Sequence, residues 1–149
     1  MANRVGFAER LSSAVGAAGT PATSLALFYI DLDAFKPVND SFGHDVGDEL
    51  LRAVARRLHE VVRHADTVAR LGGDEFVVLV EDVADEAQIA ALARRLEGAF
   101  AEPFAVGDQR FAIGASIGRA VWPLDVDTPD ALIAHADAAM YAVKRAARS

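Results

Sequence analysis

The chain contains no cysteine, has only two lysines, and lacks any long hydrophobic run. Without cysteine, disulfides, zinc–thiolate sites and a cysteine nucleophile are excluded. No apolar segment approaches the roughly 20 residues that cross a membrane, and no signal-peptide pattern opens the sequence. We therefore expect a cytoplasmic domain without membrane contact, a prediction that is compatible with a membrane anchor elsewhere in a parent protein.

The composition is that of one globular domain with an uneven charge distribution. The 149 residues are 52% hydrophobic, enough for a sizeable core, and the formal net charge is −7. Residues 31–50 hold six acidic residues against Lys36, and residues 71–90 hold six more with no cation. Because such acidity repels polyanions, we expect no nucleic-acid partner.

Hydrophobic periodicity predicts alternating helices and strands. The predicted strands cover residues 25–30, 67–71, 76–80 and 111–122, the middle two forming a hairpin around a Gly-Gly turn. Amphipathic helices are predicted over 48–63, 85–100 and 128–148, and a further helix precedes a surface loop over 12–24. This order indicates an α+β fold with a mixed, largely antiparallel sheet flanked by helices, ferredoxin-like or polymerase-palm-like.

Carboxylates follow two of the predicted strands. Asp31 ends the buried strand, and Asp74 and Glu75 follow the turn of the hairpin. If these strands are neighbours, Asp31 and Asp74 meet at one rim of the sheet, where hard oxygen ligands suit magnesium. The alternatives are a turn-forming aspartate for Asp31 and an exposed hairpin tip for the Asp74-Glu75 pair.

Other polar residues suit a nucleotide. Asn39 and Asp48 together offer the donors and acceptors that match the edge of guanine, although a loop or cap residue and a carboxylate in the first turn of a helix are the alternatives. Lys144 and Arg148 share a face of the last helix and suit phosphate. Their alternative role is to complement the negative end of that helix.

Most of these residues belong to three longer motifs, DLDAFKPVNDSFGHDVGD at residues 31–48, RLGGDEF at 70–76 and DAAMYAVK at 137–144. Taken together, the motifs resemble the GGDEF family, the diguanylate cyclases. The resemblance covers essentially the whole chain and is greatest to domains of composite GGDEF–EAL proteins. So many specified positions do not match by accident, unlike a short motif.

The resemblance implies a nucleotidyl cyclase fold and the synthesis of cyclic di-GMP from two GTP molecules, with release of two pyrophosphates. One domain holds one GTP, so a transient homodimer with facing sites is implied. Asp31, the Leu32 carbonyl and Asp74 would hold magnesium, or manganese as the alternative ion, with Glu75 close to the metal. Asp74 would also accept the proton, which makes Asp74 and Glu75 the implied catalytic pair.

The resemblance also assigns the nucleotide contacts. Asn39 and Asp48 would bind guanine, with His44 nearby, and Gly72 and Gly73 would admit the nucleotide without a side chain in its way. The phosphates would be received by the residues Ala34, Phe35 and Lys36 through their backbone amides, and by Lys144 and Arg148.

A second motif matches the family's RxxD site for product inhibition. It comprises Arg63 and Asp66, with Arg94 as the companion arginine and Arg95 as a near alternative. Guanidinium and carboxylate groups suit the phosphates and guanines of cyclic di-GMP. The alternative is an exposed helix end.

Two departures from the family pattern affect the expected boundaries and activity. Residues 1–4 resemble only the tail of the family's opening DxLTGLxNR motif, and Ala147 and Ser149 replace a glycine and an asparagine. We therefore expect residues 1–149 to be a single GGDEF domain, an N-terminally truncated fragment of a longer protein with sensor and/or EAL domains. The alternatives to a cyclase are a catalytically inactive regulatory module that binds GTP or cyclic di-GMP, and a structural dimerisation unit.

Overall fold

The computed structural model describes residues 4–17, 24–63, 65–83, 85–122, 124–128 and 131–147. The helices are α1 (Arg4–Ala17), α2 (Phe35–Phe42), α3 (His44–Val61), α4 (Glu86–Gly98) and α5 (Ala131–Ala147). The strands are β1 (Ser24–Asp33), β2 (Thr67–Gly72), β3 (Glu75–Val83), β4 (Phe104–Val106), β5 (Gln109–Phe111) and β6 (Gly114–Trp122).

The central sheet has four strands in the order β2-β3-β1-β6, and β4 and β5 form a separate hairpin. Every described strand pair is antiparallel. Alternate residues of β1 enter two different cores: Phe28 and Ile30 pack with α3 and α4, whereas Leu27 and Tyr29 pack with α1 and α5. Burial on both faces explains the continuous apolar run, and the predicted α+β, palm-like fold is confirmed.

The sequence patterns misplaced several element boundaries. Helix α2 was not predicted, because its Pro, Asn, Asp and Ser residues are typical of a loop. Helix α3 begins at His44 rather than at Asp48, directly after Gly43, whose φ of 93° separates the two helices. The predicted loop over 12–24 was wrong for residues 12–17, which continue α1 because Ala14 is buried against the sheet. Residues 18–23 lie outside the described part.

The end of the chain required similar corrections. Phe111 belongs to β5 and not to the long strand, since a turn at Gly107 with φ of 59° forms the small hairpin first. Alternation of buried and exposed residues continues through Ile113, so the pattern alone did not reveal the break. Helix α5 begins at Ala131 rather than at Thr128, and Arg148 lies outside the described residues. Among the residues that are described, no helix combines the length and apolar character needed to cross a bilayer.

Arg57 joins α3 to the segment that follows α4. Its guanidinium donates hydrogen bonds to the carbonyl oxygens of Ala99 (3.0 Å), Glu102 (2.6 Å) and Pro103 (2.9 Å). It also lies 3.8 Å from the centre of the Phe104 ring. The planar guanidinium therefore satisfies the carbonyl of Ala99, which caps α4, and two carbonyls of the chain beyond that helix.

Replacing Arg57 with alanine is expected to lower the free energy of unfolding by about 1–3 kcal/mol, because these carbonyls lose a charged donor. Urea denaturation of the two proteins measures the difference. Arg56→Ala is the matched control, since Arg56 is exposed on the same helix and exposed sites usually change stability by less than about 0.5 kcal/mol. Equal losses in both variants would contradict this role for Arg57.

Candidate active site

The strand register brings the predicted carboxylates together at one rim of the sheet. Asp31, near the end of β1, lies opposite Glu75 of β3 and Ser116 of β6. The amide of Leu32 donates a hydrogen bond of 3.1 Å to the carbonyl oxygen of Asp74. The hairpin tip is thus attached to the end of the central strand, which places the two acidic segments side by side.

A cavity of about 500 Å³ opens at this rim, within the size range of small-ligand sites. Its lining comes from the end of β1, the start of α2, the hairpin tip, β6 and α5: Leu32, Asp33, Ala34, Phe35, Lys36, Pro37, Asp74, Ser116, Lys144 and Ala147. The cavity is therefore lined by two of the predicted metal ligands, Leu32 and Asp74, and by predicted phosphate contacts that include Lys36 and Lys144.

Lys144 and Asp31 form an ion pair inside this site. Lys144 Nζ lies 2.7 Å from Asp31 Oδ2, and the two side chains are only 21% and 15% exposed. The hydrogen bond to Asp31 raises the pKa of Lys144, and the charges of Asp31, Asp33 and Asp74 add to that effect. The ammonium thus remains charged and offsets part of the negative charge at the rim.

Among the carboxylates in the described part of the chain, Asp74 is the one whose pKa is clearly raised. Partial burial is the main cause, and the nearby charge of Asp31 is the next. Two carboxylates that repel each other in this way bind a proton or a cation more readily than either would alone. The electrostatics of the rim therefore favour an incoming positive ion.

Glu75 and Asp33 are held by neighbours that the sequence patterns did not identify. The hydroxyl of Tyr29 donates a 2.8 Å hydrogen bond to Glu75 Oε2, and Ser116 Oγ donates to Asp33 Oδ1 at 3.2 Å. The only sequence signal for the first contact is a tyrosine two residues before Asp31 in a largely aliphatic strand. These two hydroxyl groups hold the Glu75 and Asp33 carboxylates in place through hydrogen bonds.

The donor set fits a metal that shares its ligands with a nucleotide. Among the described residues, no three His, Asp or Glu side chains are close enough to hold an ion by themselves. Asp31, Asp74 and the backbone of Leu32 supply fewer ligands than a closed protein site would. Magnesium normally keeps waters and binds substrate phosphates, so these few oxygen donors match its chemistry.

The backbone that enters α2 is suited to phosphate. Ala34 has a left-handed conformation, with φ of 65° and ψ of 19°, and no side chain caps the start of the helix. The free amides of the first helical turn, which include Phe35 and Lys36, lie beside the cavity. Such a helix start attracts anions through its amides and its dipole.

The candidate guanine contacts lie on helices α2 and α3. Asn39 is half-buried in α2, and His44 and Asp48 are exposed on α3. Asn39 Nδ2 lies 3.0 Å from His44 Nδ1. Since α3 begins at His44, Asp48 lies beyond the first turn, and that dipole position belongs to Asp45.

The hairpin tip is open and is stabilised by an arginine. Gly72 and Gly73 are exposed with φ of 151° and 49°, and Arg70 Nε donates to the carbonyl oxygen of Gly73 at 3.0 Å. A side chain at either glycine would be strained there. Arg148 lies outside the described residues, so of the predicted pair only Lys144 is placed at the cavity.

The RxxD residues form a closed turn at the end of α3. Asp66 accepts hydrogen bonds from the Arg63 amide at 2.9 Å and from the Arg63 guanidinium at 3.2 Å, and its side chain is fully buried. The same guanidinium donates to the carbonyl oxygen of Glu81 at 2.8 Å. Arg94 and Arg95 are both exposed on α4, and no described hydrogen bond or ion pair joins Arg94 to this turn. The alternative to a product-binding site was an exposed helix end. The Asp66 carboxylate does not fit that alternative, because Arg63 covers it.

Comparisons with known proteins agree with this geometry. The family model described as diguanylate cyclase, GGDEF domain, matches residues 1–149. The chain is 43% identical to the bifunctional diguanylate cyclase/cyclic di-GMP phosphodiesterase MucR of Pseudomonas aeruginosa, over 99% of this chain and 21% of MucR. It is 41% identical to the diguanylate cyclase TpbB of the same species, over 98% of this chain and 34% of TpbB. The chain thus spans about a fifth of the length of MucR and about a third of the length of TpbB.

Solved structures show the same fold. The GGDEF domain of TpbB from Pseudomonas aeruginosa superposes with a TM-score of 0.90 at 40% identity, covering 96% of this chain and 89% of that one. The GGDEF domain of DgcB from Caulobacter crescentus, in complex with c-di-GMP, superposes with a TM-score of 0.85 at 29% identity, covering 98% and 86%. From its motifs, its fold and these matches, the chain belongs to the GGDEF family of diguanylate cyclase domains.

Proposed function

We propose that this chain is a diguanylate cyclase domain that condenses two GTP molecules into cyclic di-GMP and two pyrophosphates. The observation that supports this best is that Asp74 and Lys144 line one cavity beside the amides that begin α2, while Asp31 pairs with Lys144 and acts on Asp74 through its charge. A module that only bound a nucleotide would not require this electrostatic arrangement of carboxylates and ammonium. The alternative remains a catalytically inactive regulatory module that binds GTP or cyclic di-GMP.

Each residue of the site has a distinct part in this reaction. Lys144 and the amides of residues 34–36 would bind the phosphates, and Asn39 and Asp48 would orient the guanine. Asp74 would accept the proton of the ribose 3′-hydroxyl, because burial and the charge of Asp31 raise its pKa and with it the affinity of the carboxylate for a proton. Magnesium, or manganese, would be held by Asp31, Asp74 and the Leu32 carbonyl, with Glu75 nearby, and would supply positive charge to the reacting oxygens.

The reaction needs a second copy of the domain. One site holds one nucleotide, and each 3′-hydroxyl must attack the α-phosphate of the other nucleotide, so two sites must face each other in a two-fold arrangement. The rims that would meet are charged rather than apolar, which favours a transient homodimer. GTP is a cytoplasmic nucleotide, which places the proposed reaction in the cytoplasm.

The relatives also suggest further domains. This chain matches about a fifth of MucR, whose name describes two activities. We infer that residues 1–149 form one GGDEF domain of a longer protein, to which a sensor or an EAL domain is attached.

Incubation of the concentrated chain with GTP and magnesium, followed by chromatography, tests the proposed activity. We expect two pyrophosphates to accumulate for each cyclic di-GMP, with a rate that rises more than linearly with protein concentration because two domains must meet. GTP binding without product, in this chain and in a longer version of it, would favour the inactive regulatory module instead.

The RxxD turn is a proposed site for feedback by the product. Cyclic di-GMP would have to draw the Arg63 guanidinium away from Asp66, because Asp66 is buried beneath it. Arg94, or alternatively Arg95, of the next helix α4 would then complete the grip on the phosphates. Bound product would hold two domains apart from the facing arrangement and so reduce synthesis.

Replacing Arg63 with alanine is expected to weaken cyclic di-GMP binding by about ten- to a hundredfold, as for the loss of a charge-assisted hydrogen bond, and to relieve inhibition. Calorimetric titration with cyclic di-GMP measures the affinity. Arg63→Lys keeps a positive charge over Asp66 and is the control for stability. The separate variants Arg94→Ala and Arg95→Ala show which of these two arginines is the companion of Arg63, because only its loss should weaken binding. Unchanged affinity in a folded Arg63→Ala protein would rule out this site.

A further inference from the structure

The amide of Asn39 is held on its nitrogen side by His44. Asn39 Nδ2 lies 3.0 Å from His44 Nδ1. In this arrangement the amide nitrogen donates and Nδ1 accepts, which is the pairing given by the tautomer with its hydrogen on Nε2. The contact thus sets the rotation of the amide.

The oxygen side of the same amide lies against Gly47. A Cβ atom at position 47 would lie 2.3 Å from Asn39 Oδ1 and 3.2 Å from its Cγ, and 3.4 Å from the Phe35 ring. Gly47 is buried in α3, where glycine costs about 1 kcal/mol relative to alanine. The close approach of the amide gives a physical reason for glycine at this helical position.

Backbone hydrogen bonds at the α2–α3 junction hold Asn39, His44 and Gly47 close to one another. The Gly43 amide donates to the Asn39 carbonyl at 2.9 Å, and the Gly47 amide donates to the Gly43 carbonyl at 3.1 Å. His44 is four residues before Asp48 on α3, so their side chains share one face of the helix. The oriented amide and the Asp48 carboxylate therefore belong to one unit built on the α2–α3 junction.

We propose that His44 and Gly47 are positioning residues that set the orientation of the Asn39 amide, and through it the selection of guanine. The proposal rests on the function proposed above. His44 and Gly47 fix the directions in which the second Nδ2 hydrogen and the Oδ1 atom of Asn39 point. A purine bound there must offer an acceptor to that hydrogen and a donor to that oxygen. Guanine offers ring N3 and the 2-amino group, whereas hypoxanthine lacks the amino group. His44 would thus act through Asn39 and not by contacting the base.

The test compares binding of 3′-deoxy-GTP and 3′-deoxy-ITP to the full chain by calorimetry in the presence of magnesium. Neither nucleotide has the attacking hydroxyl, so binding is measured without turnover. Asn39→Ala defines the preference that remains without the amide. We expect His44→Ala to reduce the preference for the guanine nucleotide by about two- to tenfold, the range for one neutral hydrogen bond. We expect Gly47→Ala to reduce it as far as Asn39→Ala does.

Conservative and matched variants separate positioning from a general loss of structure. In His44→Asn, the side-chain oxygen can occupy the place of Nδ1 as an acceptor, and we expect the preference to return. Gly98→Ala is the control for Gly47, since a Cβ atom at that helical glycine meets nothing within 4 Å. His135→Ala, at an exposed site of α5, is the control for His44.

The possible results are distinguishable. If Asn39→Ala removes the preference but folded His44→Ala and Gly47→Ala proteins keep it, the proposal is overturned while the proposed function stands. If the unchanged protein has no preference for guanine, the guanine assignment of the proposed function fails. The imidazole ¹⁵N shifts then still test the geometry, because we expect an unprotonated Nδ1 in His44, and a hydrogen on Nδ1 would overturn it. If Gly47→Ala does not fold, the His44 variants decide.

Discussion

Asp74→Asn is expected to abolish cyclic di-GMP synthesis while GTP binding remains measurable. Asparagine cannot accept the proton of the 3′-hydroxyl, a contribution of about 10²–10⁴-fold to the rate in enzymes with a positioned base. It is also a weaker ligand for magnesium than a carboxylate. Asn39 and Asp48 are unchanged, so the guanine contacts persist. Product chromatography and nucleotide calorimetry measure the two effects separately.

The same substitution is expected to raise the stability of the metal-free protein at neutral pH. The pKa of Asp74 is raised from its usual 3.8 by burial and then by Asp31. A carboxyl with a higher pKa in the folded state stabilises the fold only when protonated, and this contribution is lost as the pH rises through the folded pKa. Asparagine carries no charge, so Asp74→Asn removes the repulsion that remains above that pKa.

We therefore expect Asp74→Asn to increase Tm at pH 7 in the presence of a chelator, with the increase disappearing as the pH falls to the usual aspartate range. Thermal unfolding as a function of pH measures this. Asp137→Asn, at an exposed position of α5, is the control for loss of one acidic charge. Retained turnover would show that Asp74 has been assigned the wrong role, and a lower Tm would show that its charge is stabilised by contacts other than those described.

Gly118→Ala is expected to produce the largest loss of stability. Gly118 is in β6, under α5, and a Cβ atom there would lie 2.0 Å from the Met140 amide nitrogen, 2.3 Å from the Ala136 carbonyl oxygen and 2.7 Å from the Ala139 carbonyl carbon. All three are backbone atoms, so no rotamer change can make room. The helix must shift, and we expect a loss of about 3 kcal/mol or more in the free energy of unfolding.

This shift has a consequence at the active site. The packing of α5 on β6 sets the position of Lys144, whose ammonium meets Asp31 at 2.7 Å. We expect a folded Gly118→Ala protein to bind GTP and magnesium more weakly, although position 118 is not in the cavity lining. Denaturant unfolding and nucleotide calorimetry together test both effects.

Gly114→Ala is the matched control on the same strand. A Cβ atom at position 114 would meet Asp33 at 3.6–3.8 Å, an ordinary contact distance. We expect Gly114→Ala to change stability much less than Gly118→Ala. Similar losses in both variants would mean that the strand disfavours alanine in general and that the contact with α5 is not the cause.

Sequence patterns were sufficient where a short segment carries its own signal. The unbroken apolar run before Asp31 indicated a strand buried on both faces, and the Gly72-Gly73 turn between apolar segments indicated the β2–β3 hairpin. The motifs and their spacing indicated the family, and the match of the family model over residues 1–149 confirmed it. These features depend on neighbours along the chain, so local patterns contain them.

Local patterns were insufficient where a segment's conformation depends on what packs against it. Helix α2 consists of residues that are typical of loops, and its half-buried face against α3 forms only once the chain turns at Gly43. The same limit applies to the RxxD turn, where the burial of Asp66 under Arg63 depends also on the nearby Glu81 carbonyl of β3.

The sequence by itself determined the family, the main strands and the residue types available for metal, phosphate and guanine. Only the tertiary structure decided how they are used: that Lys144 pairs with Asp31 across 113 positions, that Tyr29 holds Glu75, and that His44 and Gly47 hold the Asn39 amide. The physical reason is that such contacts depend on strand order, on the height at which a helix packs on the sheet, and on which way a side chain points. None of these quantities is a property of one segment alone.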